Sequence, residues 1–383
     1  MDDAERRSIL WVLYVTIFLT STGLGTTTFL LPVYAETLGA SYTDLGLIGA
    51  VGNVIYTALT LVSGYLLDRF EKVTLYLVFT GTGMVTMALF AFVSTIPQIM
   101  ILRGLLGLAS GTFWVAASTL TAQISPREEL TQSLARYNLA WISGFTVGPY
   151  VGGLVSSAYG YDLFFYSQAG LIAVSIVLVF TRMRSRIELL NVSSHERATL
   201  SELLPLSLAY ITLIPFTLVL GIYMAIIPGH MKVVGLSASI IGLLLTITNG
   251  TRGLVFLNIQ RLVTWGTWKS MLTASLFMGA SMFLVRTGNN ALTFGVPLIF
   301  YGIGSGIMTP VAMDFISKRT PERLLGTAMG VHEAIYGIGM CFGPLIGGAI
   351  ADSYSAFTLY TILVGVAFLI IPFAYLMTRE PKP

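Results

Sequence analysis

Gly144-Phe145-Thr146-Val147-Gly148-Pro149-Tyr150-Val151-Gly152-Gly153 recurs 195 residues later as Gly339-Met340-Cys341-Phe342-Gly343-Pro344-Leu345-Ile346-Gly347-Gly348. The same shift lays Gly107 on Gly302, Ser110 on Ser305, Gly111 on Gly306, Pro126 on Pro321 and Tyr159 on Tyr354. A shift of 196 pairs Pro32 with Pro228, Gly39 with Gly235, Gly46 with Gly242 and Asn53 with Asn249, so one single-residue indel separates the two registers. The chain is an internal duplication. Glycines four apart on an apolar helix let backbones approach where lipid supplies no hydrophobic drive. Gly144, Gly148, Gly152 and Gly153, with Gly339, Gly343, Gly347 and Gly348, therefore read as one helix-packing motif present in each half. Pro149 and Pro344 add a kink, because proline removes a backbone hydrogen bond and crowds the preceding turn.

Outward from these rows the chain is apolar almost throughout. Of 383 residues, 55% are hydrophobic and 10% charged, and mean hydropathy is +0.81. A soluble domain carries about 25% charge to face water, so the composition indicates a polytopic membrane protein. A net charge of +3 without a basic patch excludes nucleic acid as a partner. One cysteine, Cys341, and three scattered histidines give neither a disulfide framework nor a metal site, and no cofactor is implied. There is no Gly-x-x-x-x-Gly-Lys-[Ser/Thr] loop for an ATP-driven pump. The loops hold no catalytic constellation, so an enzyme is not expected.

A membrane helix needs roughly 20 apolar residues. That ruler gives twelve spans: 9–31, 44–67, 73–94, 97–122, 131–158 and 162–181, then 205–228, 238–262, 267–286, 291–316, 325–351 and 355–378. The expected fold is an all-α membrane protein of twelve transmembrane helices in two six-helix repeats. Residues 1–181 and 205–383 form the two bundles and 182–204 a polar linker. The apolar run after Arg6 and Arg7 is too long for a signal-peptide core and reads as the first span. With that end inside, the inner segments hold sixteen Lys and Arg residues and the outer loops only Lys232 and Arg286. The excess predicts both termini and the linker on the cytoplasmic side.

Several motifs now stand on definite spans. The loop after span two reads Gly64-Tyr65-Leu66-Leu67-Asp68-Arg69-Phe70-Glu71-Lys72, and span four carries Arg103-x-x-x-Gly107-x-x-x-Gly111. Together with the Gly-Pro rows of spans five and eleven, this set resembles the major facilitator superfamily over essentially the whole chain, in particular its twelve-helix drug–proton antiporters. In the second half the loop signature has decayed to Asn258-Ile259-Gln260-Arg261, and Leu298 replaces the arginine of span four. The resemblance implies a solute carrier working by alternating access; a monomer is expected, and the compact loops fit a prokaryotic plasma membrane. It implies that Gly64, Asp68, Arg69 and Lys72 form a cytoplasmic gate and that Arg103 takes part in proton transfer or cavity structure. It further implies that spans one, four, seven and ten line the cavity. On those spans the candidates are Thr22, Thr26, Phe113, Trp114, Ser118, Tyr223, Tyr301 and Met308. The bland reading of most of them is structural, since hydroxyls in membrane helices often bond their own backbone.

Ionisable groups inside a bilayer are functional candidates by default. Glu333 lies eight residues into span eleven, about 12 Å at 1.5 Å per residue, with His332 beside it. Arg252 sits near the middle of span eight. Burial favours the neutral form of a carboxyl and an arriving cation favours its charged form, which is the physical basis for trading a proton against a solute. Glu333, Arg103, Arg252 and His332 are accordingly the expected proton-coupling residues. The competing reading is a static ion pair of Glu333 with Arg252, or with another cation, that pins the bundles together. Arg136 and Asp314 read as further latch residues, and Glu36, Asp44 and His230 as surface groups near the outer ends. The expected function is proton-coupled efflux of small amphipathic organic compounds. The alternative is a proton-coupled symporter or a facilitator for a metabolite or nutrient. Lipid, a small solute and protons are the expected partners.

Overall fold

The computed structural model describes residues 3–126, 129–183, 200–321 and 324–379. Most of the expected 182–204 linker, together with Arg127, Arg184, Arg186, Arg197, Arg323 and Lys382, lies outside the described residues. Helices follow one another as α1 (Asp3–Thr37), α2 (Tyr42–Arg69), α3 (Lys72–Phe90), α4 (Ile96–Ile124) and α5 (Leu130–Arg182). Then come α6 (Ser207–Ala225), α7 (Ile227–Val233), α8 (Ala238–Phe256), α9 (Ile259–Trp265) and α10 (Thr267–Val285). The chain closes with α11 (Ala291–Arg319), α12 (Leu325–Ser353), α13 (Ala356–Phe368) and α14 (Ile370–Arg379), and no strand occurs among the described residues.

Among the described residues eleven stretches are long and apolar enough to cross a membrane, against twelve expected spans. The difference lies in α5, whose 53 residues would run about 80 Å as one straight helix. Inside it Gly160 adopts φ 85°, ψ 173°, so two spans meet at a break. Nothing crowds a side chain at Gly160; its left-handed backbone is what calls for glycine. Helix starts are built as polar caps. Asn290 accepts from the Leu292 and Thr293 amides at the head of α11, and Ser355 accepts from the Thr358 amide at the head of α13.

The helices gather into two compact units. The first draws on Met1–Leu38, Val51–Ser194 and Ser237–Thr246, the second on Gly39–Ala50, His195–Leu236 and Ile247–Pro383. In the first unit α1 lies along α5. Side chains at Gly144, Gly148 and Gly152 would run into Phe18, Ser21, Thr22 and Thr26 of α1, which explains why glycine stands there. In the second unit α12 lies on α6 in the same way, with Gly339, Gly343 and Gly347 against Thr217, Leu218 and Ile222. A division at the linker alone omits an exchange between the repeats. The first twelve residues from Gly39 belong with the second unit and Ser237–Thr246 with the first.

Each exchanged segment is held by the same device. In the second unit Gly46 backs onto the Pro344 carbonyl and Gly348 onto the Tyr42 carbonyl. In the first unit Gly242 backs onto the Pro149 carbonyl and Gly153 onto the Ala238 carbonyl. A polar cap completes each contact. The Asp352 carboxylate accepts from the Tyr42 and Thr43 amides at 3.0 and 2.7 Å, at the N-terminus of α2. At the shifted position Ser157 Oγ accepts from the Ser239 amide at 3.0 Å, at the N-terminus of α8. Helix N-termini leave amides unpaired and carry partial positive charge, so the carboxylate makes the stronger cap of the two.

Buried hydroxyls stitch each unit internally. Tyr76 donates to Thr16 Oγ1 at 3.1 Å, Thr20 donates to Ser175 Oγ at 2.9 Å, and Ser175 donates to the Thr16 carbonyl at 3.2 Å. In the second unit Ser275 donates to the Ala367 carbonyl at 2.8 Å. His230, expected at the surface, is instead buried, hydrogen-bonded through Nδ1 to the Tyr360 hydroxyl at 2.8 Å with the two rings stacked. The correction has a physical basis: an aromatic hydrogen-bond partner 130 residues away makes burial of the imidazole tolerable, and spacing along the chain gives no sign of it. Asp314, expected in a latch, pairs with Lys318 one turn further along α11 at 2.8 Å.

Candidate functional site

In the second unit, α8, α11 and α12 bring five of their polar side chains into one chain of contacts. Arg252 donates from Nη2 to Thr309 Oγ1 at 3.2 Å. The Tyr336 hydroxyl donates to the same oxygen at 2.9 Å. The Tyr336 ring lies 4.6 Å from the His332 ring, and His332 Nδ1 meets Glu333 Oε1 at 3.3 Å. Tyr336 and His332 share a face of α12 because they are four residues apart.

The charges in this chain are not spent on each other. Among the described residues Arg252 forms no ion pair, and its Nε is buried without a hydrogen-bond partner. Its guanidinium carbon stands 5.5 Å from the centre of the Phe256 ring. Glu333 keeps 44% of its side chain exposed while His332 keeps 2%. A charged carboxylate facing lipid would cost several kcal/mol, so exposure of this size inside an apolar span calls for a polar surrounding. The static Arg252–Glu333 pair is not the arrangement found. His332 Nε2 and the Tyr301 hydroxyl are also buried without partners, so this region holds unspent polar capacity.

The duplication gives this cluster a counterpart. Shifted by 195 or 196, Arg252, Thr309, His332, Glu333 and Tyr336 become Tyr56, Trp114, Tyr137, Asn138 and Trp141. Trp114 and Trp141 touch with ring centroids 6.3 Å apart, at the positions where Thr309 and Tyr336 are hydrogen-bonded. Trp141 Nε1 donates to Asn138 Oδ1 at 2.9 Å. Phe145 and Phe113 extend these rings into a cluster, and Phe29 joins through Phe145. One repeat is aromatic where the other is charged. Thr309, Tyr336, Trp141 and Phe145 were not singled out in the sequence. The duplication held the signal, since shifting Trp114 and Glu333 points to Thr309 and Asn138.

The remaining predicted residues fall in varied places. Arg103 is half-buried in α4 and lies over Gly52, where a side chain would strike its guanidinium; it makes no hydrogen bond or ion pair among the described residues. Thr22 and Thr26 are buried under the glycines of α5, and Thr22 donates to the Phe18 carbonyl. Ser118 is half-buried and donates to the Val115 carbonyl. Phe113 and Met308 are buried, Phe113 against Tyr76. Tyr223 and Tyr301 are buried and stacked 4.2 Å apart, close enough to Arg252 to feel its charge. Arg69 is exposed and Lys72 half-buried at the ends of α2 and α3, whereas the side chain of Asp68 and the surroundings of Gly64 lie outside what is described. A groove of about 560 Å³ on α8, α9, α10 and α11, lined by Thr251, Asn258, Arg261 and Ile307 among others, contains none of the predicted cavity residues.

Two helical repeats of apolar spans, holding a half-exposed carboxylate and an arginine without an ion pair among the described residues, fit a multi-pass membrane carrier. The family model of the Major Facilitator Superfamily matches residues 13–209 and again 209–383. The chain belongs to this superfamily, whose members are transporters rather than enzymes. It is 25% identical over 371 residues to the MFS-type transporter MJ1560 of Methanocaldococcus jannaschii, covering 93% of this chain and 96% of that one. It is 25% identical over 405 residues to the multidrug resistance protein MdtG of a Rahnella species, covering 99% and 96%. Among solved structures, the nucleoside transporter NupG superposes with a TM-score of 0.77 at 15% identity, covering 97% of this chain and 99% of that one. A peptide transporter POT in complex with sulfate superposes at 0.80 and 12% identity, covering 96% and 93%. At such identities these two structures speak for the fold alone.

Proposed function

We propose that the protein is a proton-coupled exporter of small amphipathic organic compounds, working as a monomer by alternating access in the cell membrane with both termini in the cytoplasm. The observation that carries this reading is Glu333: a half-open carboxylate in a membrane span, hydrogen-bonded to His332 and not locked to Arg252. Such a group can take a proton from water and yield it when a cationic group arrives. Arg103, which forms no ion pair among the described residues, is the second coupling candidate. The relatives named as multidrug resistance proteins support efflux, and the aromatic cluster around Trp114 and Trp141 suits a flat apolar solute body.

The alternative is a proton-coupled symporter or a facilitator for a metabolite or nutrient, which the nucleoside and peptide transporters sharing this fold would also accommodate. Accumulation of a panel of amphipathic dyes in efflux-deficient cells separates the two. Wild type should lower steady-state dye below empty vector, and Glu333→Gln at matched expression should remove that effect. Dye levels equal to empty vector across the panel would move the assignment to metabolite uptake.

A further inference from the structure

Arg252 and Glu333 are opposite charges in one unit, a short contact chain apart, that do not neutralise each other. Arg252 reaches Thr309, Thr309 accepts from Tyr336, and Tyr336 packs on His332, whose neighbour is Glu333. A cation inside a membrane span is costly unless something answers it. Among the described residues the guanidinium has one neutral hydrogen bond, one aromatic ring at 5.5 Å, and a buried Nε without an acceptor. Thr309 cannot offer more, since its oxygen already accepts from Arg252 and Tyr336 and its proton goes to the Ser305 carbonyl at 3.3 Å. The charge is not demanded by packing either, because the duplicated position in the other half is Tyr56.

From this arrangement we infer that the transported solutes carry an acidic group as well as a basic one. Arg252 receives the acid, and Glu333 receives the base as it gives up its proton. The inference rests on the exporter reading and adds the chemical class: amphipathic zwitterions, with a carboxylate or sulfonate held by the planar, permanently charged guanidinium. Two fixed charges explain the coupling better than one. A purely anionic solute near Glu333 would favour keeping the proton, and a purely cationic one would be repelled by Arg252. A zwitterion satisfies Arg252 and displaces the proton together.

Three xanthene dyes test this on one skeleton: rhodamine B, a zwitterion; rhodamine 6G, its cationic ester relative; and fluorescein, an anion. Protein reconstituted in liposomes is given an imposed pH gradient, and dye movement is followed for wild type, Arg252→Gln and Arg252→Lys, with protein-free liposomes subtracted. Wild type should move rhodamine B at least about tenfold faster than rhodamine 6G at limiting dye, the factor expected for one charged hydrogen bond. Arg252→Gln should abolish the preference, bringing the rhodamine B rate to the rhodamine 6G rate of the same variant, while Arg252→Lys should recover part of it. Equal wild-type rates for the two rhodamines, or a preference for rhodamine 6G, would overturn the zwitterion assignment and leave export standing. So would an Arg252→Gln protein that still elutes as a single folded species and keeps the wild-type preference for rhodamine B. Absence of movement for all three dyes would defeat the exporter reading itself. The wild-type ratio decides the matter even where a variant does not fold.

Discussion

Replacing Asp352 by Ala removes the carboxylate that caps α2. Two backbone amides, at 3.0 and 2.7 Å, lose their acceptor at a helix N-terminus. Loss of an N-cap costs about 0.5–2 kcal/mol, and loss of a charge beside the helix dipole about 0.3–1 kcal/mol. Asp352 is exposed, so solvent screening keeps the sum near the lower part of that range, about 1–2 kcal/mol. That corresponds to roughly a 5–30-fold change in an equilibrium. The equilibrium concerned is release of residues 39–50 from α12 and α7. Leu45 reports on it, being 1% exposed and filling the space over Gly229. In a chain carrying Cys341→Ser and Leu45→Cys, the added thiol is the sole cysteine. Its alkylation by a membrane-impermeant maleimide should be about 5–30-fold faster with Asp352→Ala than without. Asp352→Asn, which keeps one carbonyl acceptor but no charge, should fall between. Equal rates in all three would refute the capping argument, leaving the segment held by the Gly46–Pro344 and Gly348–Tyr42 contacts alone.

The counterpart cap offers the converse change: Ser157→Asp puts a charge at the Ser239 amide and should slow alkylation of a cysteine placed in Ser237–Thr246, measured in the same way. Gly343→Ala would set a Cβ 3.0 Å from the Leu218 Cα and against the Leu218 carbonyl, and overpacking of this kind costs about 1–3 kcal/mol. It should lower the melting temperature of the detergent-solubilised protein, whereas Gly365→Ala, which meets nothing within 4 Å, should leave it unchanged or raise it. Tyr360→Phe strips buried His230 of its partner and should cost about 1–3 kcal/mol in the same thermal assay; an unshifted melting curve would show that the imidazole is satisfied elsewhere.

Membrane spans were legible because a bilayer imposes one composition and one length on every helix that crosses it. The break at Gly160 was legible only as a gap between two spans. Its left-handed backbone leaves no mark beyond a glycine among 39. The glycine rows pointed to tight packing, and their partners turned out to be α1 and α6, with the last glycine of each row on the start of α8 or α2. Contacts over long separations were not legible. Asp352 caps amides some 310 residues away, and His230 finds Tyr360 across 130. The charged residues of the candidate site stood out as misfits in apolar spans. Thr309 and Tyr336, which bridge them, did not, since a hydroxyl in a span is unremarkable until its partner is known. Thr22 and Thr26 show the opposite case, conspicuous in sequence and placed under the glycines of α5.

The account stands or falls on whether solute movement is exchanged for protons through Glu333. Protein in liposomes with an acid interior should draw rhodamine B or rhodamine 6G inward against its gradient, with a matching alkalinisation of trapped pyranine. Nigericin, or Glu333→Gln, should abolish both signals. Dye uptake that persists without the gradient, or that Glu333→Gln leaves intact, would contradict proton exchange at this carboxylate.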